Sequence, residues 1–249
     1  MNTRLLTLWQ KTDDRGAVRQ RLYHVLRQSI IRMVLAPGQA LSEKEIADTF
    51  NVSRQPVREA FIRLSEAGLV EVRPQRGTYV VRISQQAVLE ARFVREAIEV
   101  AVARLAAEQG LDEATLAELQ ELIERQRRCI EPQDYDRFFQ LDEAFHRTLS
   151  LGVHQQAAWR VTEEVKAQLD RVRYLSVPDS TPIDKLIDQH TRIVDTIARR
   201  DIEAAASAMA VHQREIWQSL PDLVRRFPAM FEDSASATLL SEHETEASL

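Results

Sequence analysis

The sequence predicts a mainly α-helical protein, in which a small N-terminal domain of three helices and a β hairpin precedes an all-α bundle of six to seven helices. Strand-like runs occur only between residues 69 and 83, whereas apolar residues elsewhere recur at helical spacing. The 249 residues include only 6 Gly and 8 Pro, too few for a turn-rich all-β fold. The pattern changes after Ser84, which favours two domains in a chain of this length.

The N-terminal part begins with a polar segment, residues 1–16, that we expect to be flexible. A first helix follows from Ala17 to Val34, and the Pro and Gly that come next end it. Ser42 with Glu45 three residues later is a capping-box pattern, because each side chain can satisfy a free backbone N–H. This pattern predicts the start of a second helix.

A third helix follows the tight turn at Asn51-Val52. Ser53 suits its N-cap position, and Gly68 ends it. Two short β runs, 69–72 and 78–83, then predict a hairpin. Three helices followed by a hairpin are typical of a winged helix-turn-helix domain.

The third helix of such a domain lies in the major groove of DNA, with its first residues at the base edges. Arg can donate two hydrogen bonds to guanine, Gln can pair with adenine, and free N–H groups at a helix start suit a phosphate. The hairpin tip adds further basic and amide groups. The predicted DNA contacts are Lys44, Ser53, Arg54, Gln55, Arg58, Gln75, Arg76 and Gly77. A protein-docking module with the same fold is the alternative.

The charge is divided along the chain. The whole sequence has a net charge of −5, but the part up to Arg82 has 14 basic and 8 acidic residues, and the rest has 19 and 30. The net charges are therefore +6 and −11. A basic front end favours an anionic partner for that part alone. A chance uneven distribution of charged residues on solvated helix faces would explain the charge division equally well. The choice between this explanation and an anionic partner therefore depends on the helix-turn-helix pattern.

The remainder of the chain is helical in pattern. We expect the winged helix over residues 17–82, a helical domain over 83–227, and a disordered acidic tail over 228–249, which holds 5 acidic residues and no basic ones. No apolar run approaches the ~20 residues that span a bilayer. There is no secretory signal pattern, so a soluble, cytoplasmic protein is expected. Helices are predicted at about 85–109, 112–130, 134–151, 155–176, 183–199 and 201–219.

Three histidines interrupt apolar stripes on three different predicted helices: His146, His190 and His212. Asp142 precedes His146 by four residues, so both side chains project from one helix face. A carboxylate and three imidazoles meeting in a bundle core would bind one divalent metal per chain, namely Zn²⁺, Ni²⁺, Mn²⁺ or Fe²⁺. The alternative is that each histidine is a hydrogen-bonded core residue.

The front end resembles the DNA-binding domain of the GntR family of bacterial transcription regulators. This resemblance implies a homodimer on a short palindromic operator, contacted by Lys44, Arg54, Arg58 and the tip residues 75–77. The matching segments are Leu41 to Ala47, Val52 to Ala60, Leu64, Gly68 to Val70, and Arg76 to Val80.

The bundle resembles the FCD effector-binding and dimerisation domain of the FadR-type branch of that family. This resemblance implies that a metal holds a small carboxylate effector, with Arg95 directed toward the pocket; its alternative is a surface ion pair with Glu99. Arg173 is a second candidate for binding the effector. The sequence as a whole is most similar in character to family members that regulate sugar-acid or polyol catabolism. The segments Leu141-Asp142-x-x-Phe145-His146, Gln189-His190 and Met209-x-x-His212 match the metal-binding pattern at all four positions.

These patterns together predict a ligand-responsive transcription regulator and not an enzyme. Repression that the effector relieves is the commoner mode in the family. One alternative is a metal-dependent enzyme domain fused to a DNA-binding unit, although no acidic motif is set apart as the general base that hydrolysis would need. Another alternative is a constitutive DNA binder with a purely structural metal.

Overall fold

The computed structural model describes residues 2–12, 17–131, 133–177 and 181–232. In that part of the chain it contains eleven helices and one three-stranded sheet, so the mainly α-helical prediction is confirmed. The elements that follow the first helix in the N-terminal domain are α2 (Val18–Ile31), β1 (Ala40–Leu41), α3 (Glu43–Phe50), α4 (Arg54–Glu66), β2 (Val70–Arg73) and β3 (Gly77–Val80).

The predicted hairpin is formed by β2 and β3, which pair in antiparallel orientation. A third strand, β1, pairs with the other edge of β3, with Ala40 opposite Tyr79. The sequence did not predict β1, because two residues are too short to show a strand periodicity.

The two predicted helix caps differ in the structure. The Ser42 hydroxyl accepts a hydrogen bond from the Glu45 N–H at 3.3 Å, as the capping box predicts. Ser53 occupies the N-cap position of α4 in extended backbone conformation, but its side chain makes no capping bond. The expectation that the Ser53 side chain caps α4 is therefore wrong, and its exposed hydroxyl is available for another acceptor or donor.

The N-terminal segment is a correction to the expectation that residues 1–16 are flexible. Residues Asn2–Lys11 form a helix, α1, which packs on α2 and α3. Leu5 is fully buried in the hydrophobic core of the N-terminal domain, and the Trp9 ring lies 4.8 Å from that of Phe50. The segment is polar on average, but it still forms a packed helix, because only one helix face needs to be apolar to contact the core. Met1 and residues 13–16 lie outside the described residues.

The second part of the chain is a bundle of seven helices among the described residues, within the predicted number. The segment expected to be one helix over 155–176 is broken at Lys166, whose ψ of −6° departs from the α-helical value. The last helix runs through Pro221 to Arg226, past the predicted end. The seven helices are α5 (Gln85–Gln109), α6 (Glu113–Arg127), α7 (Tyr135–Gly152), α8 (Gln156–Val165), α9 (Ala167–Ser176), α10 (Ile183–Ala198) and α11 (Ile202–Arg226).

The beginning of the predicted disordered tail is ordered, which is a second correction. A short 3-10 turn, Pro228–Met230, follows α11, and the buried Phe231 lies beside the interdomain connection. The Ile83 N–H donates to the Met230 carbonyl at 2.8 Å, and the Glu232 N–H donates to the Ile83 carbonyl at 3.0 Å. The apolar residues that precede the acidic stretch account for this docking. Residues 233–249 lie outside the described residues.

The helix α9 joins the two domains. Its first residue, Ala167, belongs to the hydrophobic core of the N-terminal domain. The Gln168 amide donates to the Gly68 carbonyl at 2.8 Å, and the Arg171 guanidinium donates to the Val81 carbonyl at the same distance. Among the described residues, no helix is both long and apolar enough to cross a membrane.

Candidate metal centre and DNA interface

Asp142, His146, His190 and His212 meet in the bundle core. The helix α7 supplies the first two from one face, and α10 and α11 supply one histidine each. Their candidate ligand atoms all lie within 4.8 Å of one another, and all four residues are buried. The Nε2 atom of His212 lies 3.2 Å from Nε2 of His146 and 3.3 Å from Nε2 of His190. The Oδ1 atom of Asp142 lies 3.6 Å from Nε2 of His190.

The other ring nitrogen of each histidine faces an oxygen outside the cluster. These oxygens can only accept, so each Nδ1 carries the proton and each Nε2 directs a lone pair into the cluster. Such outer acceptors commonly orient histidines that ligate metals. His190 Nδ1 forms a hydrogen bond with Gln126 Oε1 at 2.8 Å, and His212 Nδ1 forms one with Gln189 Oε1 at 3.0 Å. His146 Nδ1 lies 2.5 Å from Glu99 Oε2 as an ion-pair contact that lacks hydrogen-bond geometry.

The donor set fits a divalent cation. Three lone pairs and a carboxylate oxygen at these separations repel one another unless a positive charge lies between them. Asp142 Oδ1 is buried and accepts no hydrogen bond from any described residue, although a buried carboxylate oxygen normally has a partner. Three imidazoles and one carboxylate suit Zn²⁺, Ni²⁺, Mn²⁺ or Fe²⁺.

The protonation states also fit metal binding. Burial opposes the ionisation of Asp142, but the Arg173 guanidinium, 2.5 Å from Oδ2, and the neighbouring histidines hold its pKa well below the usual range. Burial lowers the pKa of His190 to about 3, and burial together with the neighbouring imidazoles lowers that of His212 well below its usual value. At neutral pH the carboxylate is therefore ionised and these imidazoles are neutral, which are the forms that bind a metal.

The two predicted effector-binding arginines are both buried. Arg95 is 3% exposed and donates from Nε to Glu99 Oε1 at 2.6 Å. The ion pair with Glu99 that was the alternative therefore exists, but it is buried and does not lie at the surface. Burial opposes ionisation of Glu99, but Arg95 and His146 lower its pKa to about 2. Arg95 thus lies behind His146, where it keeps the Glu99 carboxylate charged. Arg173 contacts the metal-ligand candidate Asp142 directly.

The outer residues Glu99, Gln126 and Gln189 were not predicted as part of the centre. Gln126 carries a visible signal, because it interrupts the apolar face of α6 as the histidines interrupt theirs. Glu99 was considered only as a partner for Arg95. The contact between Glu99 and His146 joins two helices, so no spacing within one helix could reveal it.

The eight residues predicted to contact DNA are all exposed on the N-terminal domain. The Arg58 guanidinium donates from Nε and Nη2 to the Glu43 carboxylate at 3.0 and 3.2 Å, and Arg54 lies 3.7 Å from the same carboxylate. Glu43, which the sequence did not single out, thus holds two of the predicted base-contacting arginines side by side. At the hairpin tip, Gln75 and Gly77 have positive φ angles of 61° and 104°, which form the tight turn.

Comparison with known proteins agrees with this architecture. Residues 18–80 match the model for bacterial regulatory proteins of the gntR family, and residues 90–215 match the FCD domain. The HTH-type transcriptional repressor RspR of Escherichia coli strain K12 is 45% identical over 215 residues, which cover 86% of this chain and 94% of the relative. The gluconate operon transcriptional repressor of Bacillus licheniformis is 22% identical over 86% of this chain and 89% of its own.

The fold also matches a solved structure, that of E. coli McbR/YncC, with a TM-score of 0.72 and 20% identity, covering 85% of this chain and 99% of that one. A winged helix-turn-helix joined to a helical domain with a buried polar centre defines a class of protein, the DNA-binding transcription regulators. The chain belongs to the GntR family and carries an FCD domain. The family and the relatives indicate a transcription regulator and not an enzyme.

Proposed function

We propose that this protein is a metal-containing repressor whose affinity for a palindromic operator is controlled by a small carboxylate. The single observation that carries this proposal is the buried cluster of Asp142 and three histidines, whose Nε2 lone pairs converge while Asp142 Oδ1 lacks a hydrogen-bond donor among the described residues. A cluster of this kind gains stability from a cation and offers that cation to a ligand. The protein would act in the cytoplasm, where its DNA partner lies.

The ligand chemistry follows from the charges of the site. A bound divalent ion would supply a Lewis-acid centre for carboxylate and hydroxyl oxygens. Arg173, paired with Asp142 at 2.5 Å, would provide the countercharge for an incoming carboxylate. Arg95 would act indirectly, by keeping Glu99 ionised against His146. A sugar acid combines the required groups, and the name of the gluconate operon repressor relative supports this choice.

The DNA interface would consist of the start of α4, Lys44 of α3 and the hairpin tip. Arg54 and Arg58 would read base edges, while the exposed Ser53 hydroxyl and the tip residues would contact the backbone. A homodimer would place two α4 helices in major grooves about one helical turn apart, which explains a palindromic operator.

The helix α9 would transmit the signal between the two sites. Within six residues it carries Gln168, which bonds the end of α4 through Gly68, and Arg173, which pairs with Asp142. A ligand that competes for Arg173 would shift α9 and would favour one arrangement of the DNA-binding domains over another.

Metal analysis tests the proposal. Elemental analysis of the purified protein should find about one divalent ion per chain, as a single four-ligand site requires. The variant His146→Ala/His190→Ala should lose that ion. The control His154→Asn changes an exposed histidine with a φ of 59°, a conformation that Asn accepts readily, and should keep it. Unchanged metal content in the double variant would mean that the histidines are only core residues.

A constitutive DNA binder with a structural metal is the second candidate, and the complete burial of all four candidate ligands favours it. Operator binding by the metal-loaded protein separates the two candidates. A ligand-responsive repressor changes its operator affinity when D-gluconate or another small sugar acid is added, whereas a constitutive binder keeps the same affinity throughout a panel of such acids.

A further inference from the structure

A cavity of about 500 Å³ lies between the N-terminal domain and the bundle. Residues of α1 and α2 form one side, and residues of α7 and α9 form the other. This volume suits a small organic molecule. None of the four candidate metal ligands is among the residues that line it, so this cavity is distinct from the metal centre.

Two arginines that line this cavity each keep one buried N–H without an acceptor among the described residues. Arg32, which directly follows α2, and Arg173 of α9 both line it, and the Nε atom of each is buried with no hydrogen-bond partner among the described residues. Arg173 is only 4% exposed. Other nitrogens of both guanidinium groups are paired, Arg32 Nη1 with Asp136 at 3.1 Å and Arg173 Nη2 with Asp142 at 2.5 Å. The two guanidinium groups come from different domains and both border the cavity, so an added anion can contact one arginine from each domain.

The four acidic residues of the cavity each have a partner, among them Asp134, which accepts a hydrogen bond from the Arg137 N–H at 3.0 Å. Asp136 pairs with Arg32 and accepts a hydrogen bond from Tyr174 at 2.6 Å. Lys166 lies 2.8 Å from Asp170 and 3.4 Å from Glu143. The remaining lone pairs of these carboxylates can accept hydrogen bonds from hydroxyl groups. The cavity thus combines donors for a carboxylate with acceptors for neighbouring hydroxyls.

We propose that this interdomain cavity is a second ligand site, which binds a small hydroxylated carboxylate through Arg32 and Arg173 and does not require the metal. The carboxylate would accept hydrogen bonds from both guanidinium groups, and its hydroxyls would donate to Asp136, Asp170 or Glu143. A ligand held by one arginine from each domain would stabilise the docked arrangement of the two domains, and so would change the fraction of molecules able to bind operator. The site goes beyond the metal pocket proposed above and shares only Arg173 with it.

Calorimetric titration of the full chain with D-gluconate tests this site, with the uncharged D-glucitol as the matched ligand. Arg32→Gln removes one donor, and Arg104→Gln is the control, because Arg104 is an exposed arginine paired with Glu203 on the bundle surface. We expect saturable binding of D-gluconate to the wild type and to Arg104→Gln, and binding weaker by on the order of tenfold in Arg32→Gln. Equal affinities in the two variants, no saturable binding to the wild type, or equally tight binding of D-glucitol would overturn the proposal.

A metal-stripped sample separates this site from the metal pocket. Binding of D-gluconate that depends on Arg32 should persist after chelation, whereas its loss from a sample that circular dichroism shows to be folded would contradict a metal-independent site. If chelation unfolds the protein, the test is D-gluconate binding by the metal-loaded Arg32→Gln variant. Weaker binding at a metal content equal to that of the wild type would then assign the loss to the interdomain site. Failure of the metal proposal would appear as absent metal with Arg32-dependent binding intact, and failure of the interdomain site as the reverse.

Discussion

The outer partner of each histidine decides which ring nitrogen faces the cluster. His190 and His212 form Nδ1 hydrogen bonds with Gln126 and Gln189, and His146 Nδ1 faces Glu99 at 2.5 Å, so each Nε2 atom is directed into the cluster. Of these three partners only Glu99 is charged, and it is buried with Arg95 as its counterion. Glu99 therefore orients His146, although it does not touch the centre of the cluster.

Replacing Glu99 should weaken the metal site without removing a ligand. We expect Glu99→Gln to reduce metal affinity by roughly 10–100-fold, the usual cost of losing an outer partner of a ligating histidine. Competition with a chromophoric chelator measures this affinity. The control is Glu96→Gln, one turn earlier on α5, where the carboxylate pairs with Arg92 and Arg214 near the surface. Equal metal affinity in both variants would show that Glu99 has only a structural role.

At the scale of single elements, the N-terminal helix shows how tertiary contact overrides a polar composition. Leu5 is fully buried in the core of the N-terminal domain, where α1 packs on α2 and α3, while its neighbour Leu6 is 37% exposed. A flexible segment would make these two leucines equivalent. In the folded helix they differ, because only one of them faces the core.

We therefore expect Leu5→Ala to lower the free energy of unfolding by about 2–5 kcal/mol, the typical cost of truncating a buried leucine. Leu6→Ala should change it by less than about 0.5 kcal/mol, as for other surface positions. Urea denaturation followed by circular dichroism measures both values. If the two variants were equally stable, α1 would not belong to the core.

The elements that the sequence predicted well are those whose pattern lies within one segment. The helices of the bundle have many residues in phase, the hairpin has Pro74 to Gly77 between two short β runs, and the Asp142–His146 spacing places both side chains on one face. The unpredicted features depend on contacts between distant segments: the pairing of β1 with β3, the docking of Phe231 near Ile83, and the contact of Glu99 with His146. Local periodicity contains no information about such partners, so these features required the folded chain.

The break at Lys166 separates α9 from α8, and α9 contacts both the N-terminal domain and the candidate metal centre. Gln168 donates a hydrogen bond to Gly68, two residues past the end of α4, and Arg173, farther along α9, forms an ion pair with the candidate metal ligand Asp142. We expect Gln168→Ala to loosen domain docking, which would be seen as faster hydrogen exchange in the connection at residues 81–84, and to reduce any effect of ligand on operator binding. Metal content should stay constant. Gln120→Ala, at an exposed position of α6, is the control; equal exchange in both variants would rule out this role for α9.

At the scale of the whole molecule, the division of charge allows an acidic protein to bind a polyanion. The net charge of −5 is the sum of +6 up to Arg82 and −11 beyond it. An acidic bundle repels DNA, so we expect productive contact only at the face that carries α4 and the hairpin tip. An acidic average is therefore no argument against a DNA-binding surface, and it favours a single orientation on the duplex.

Salt dependence tests this division of charge. Each phosphate that a basic residue neutralises releases condensed counterions, so the logarithm of the binding constant should fall with the logarithm of salt concentration with a slope of roughly −0.9 per contact. DNA for this measurement can be obtained by selection from a random duplex library. Lys44→Gln should reduce the magnitude of the slope by about 1, because it removes one phosphate contact. Arg104→Gln, on the bundle, removes the same charge away from the proposed interface and should leave the slope unchanged. A flat salt response of the wild type, or equal changes in both variants, would place the DNA elsewhere on the molecule.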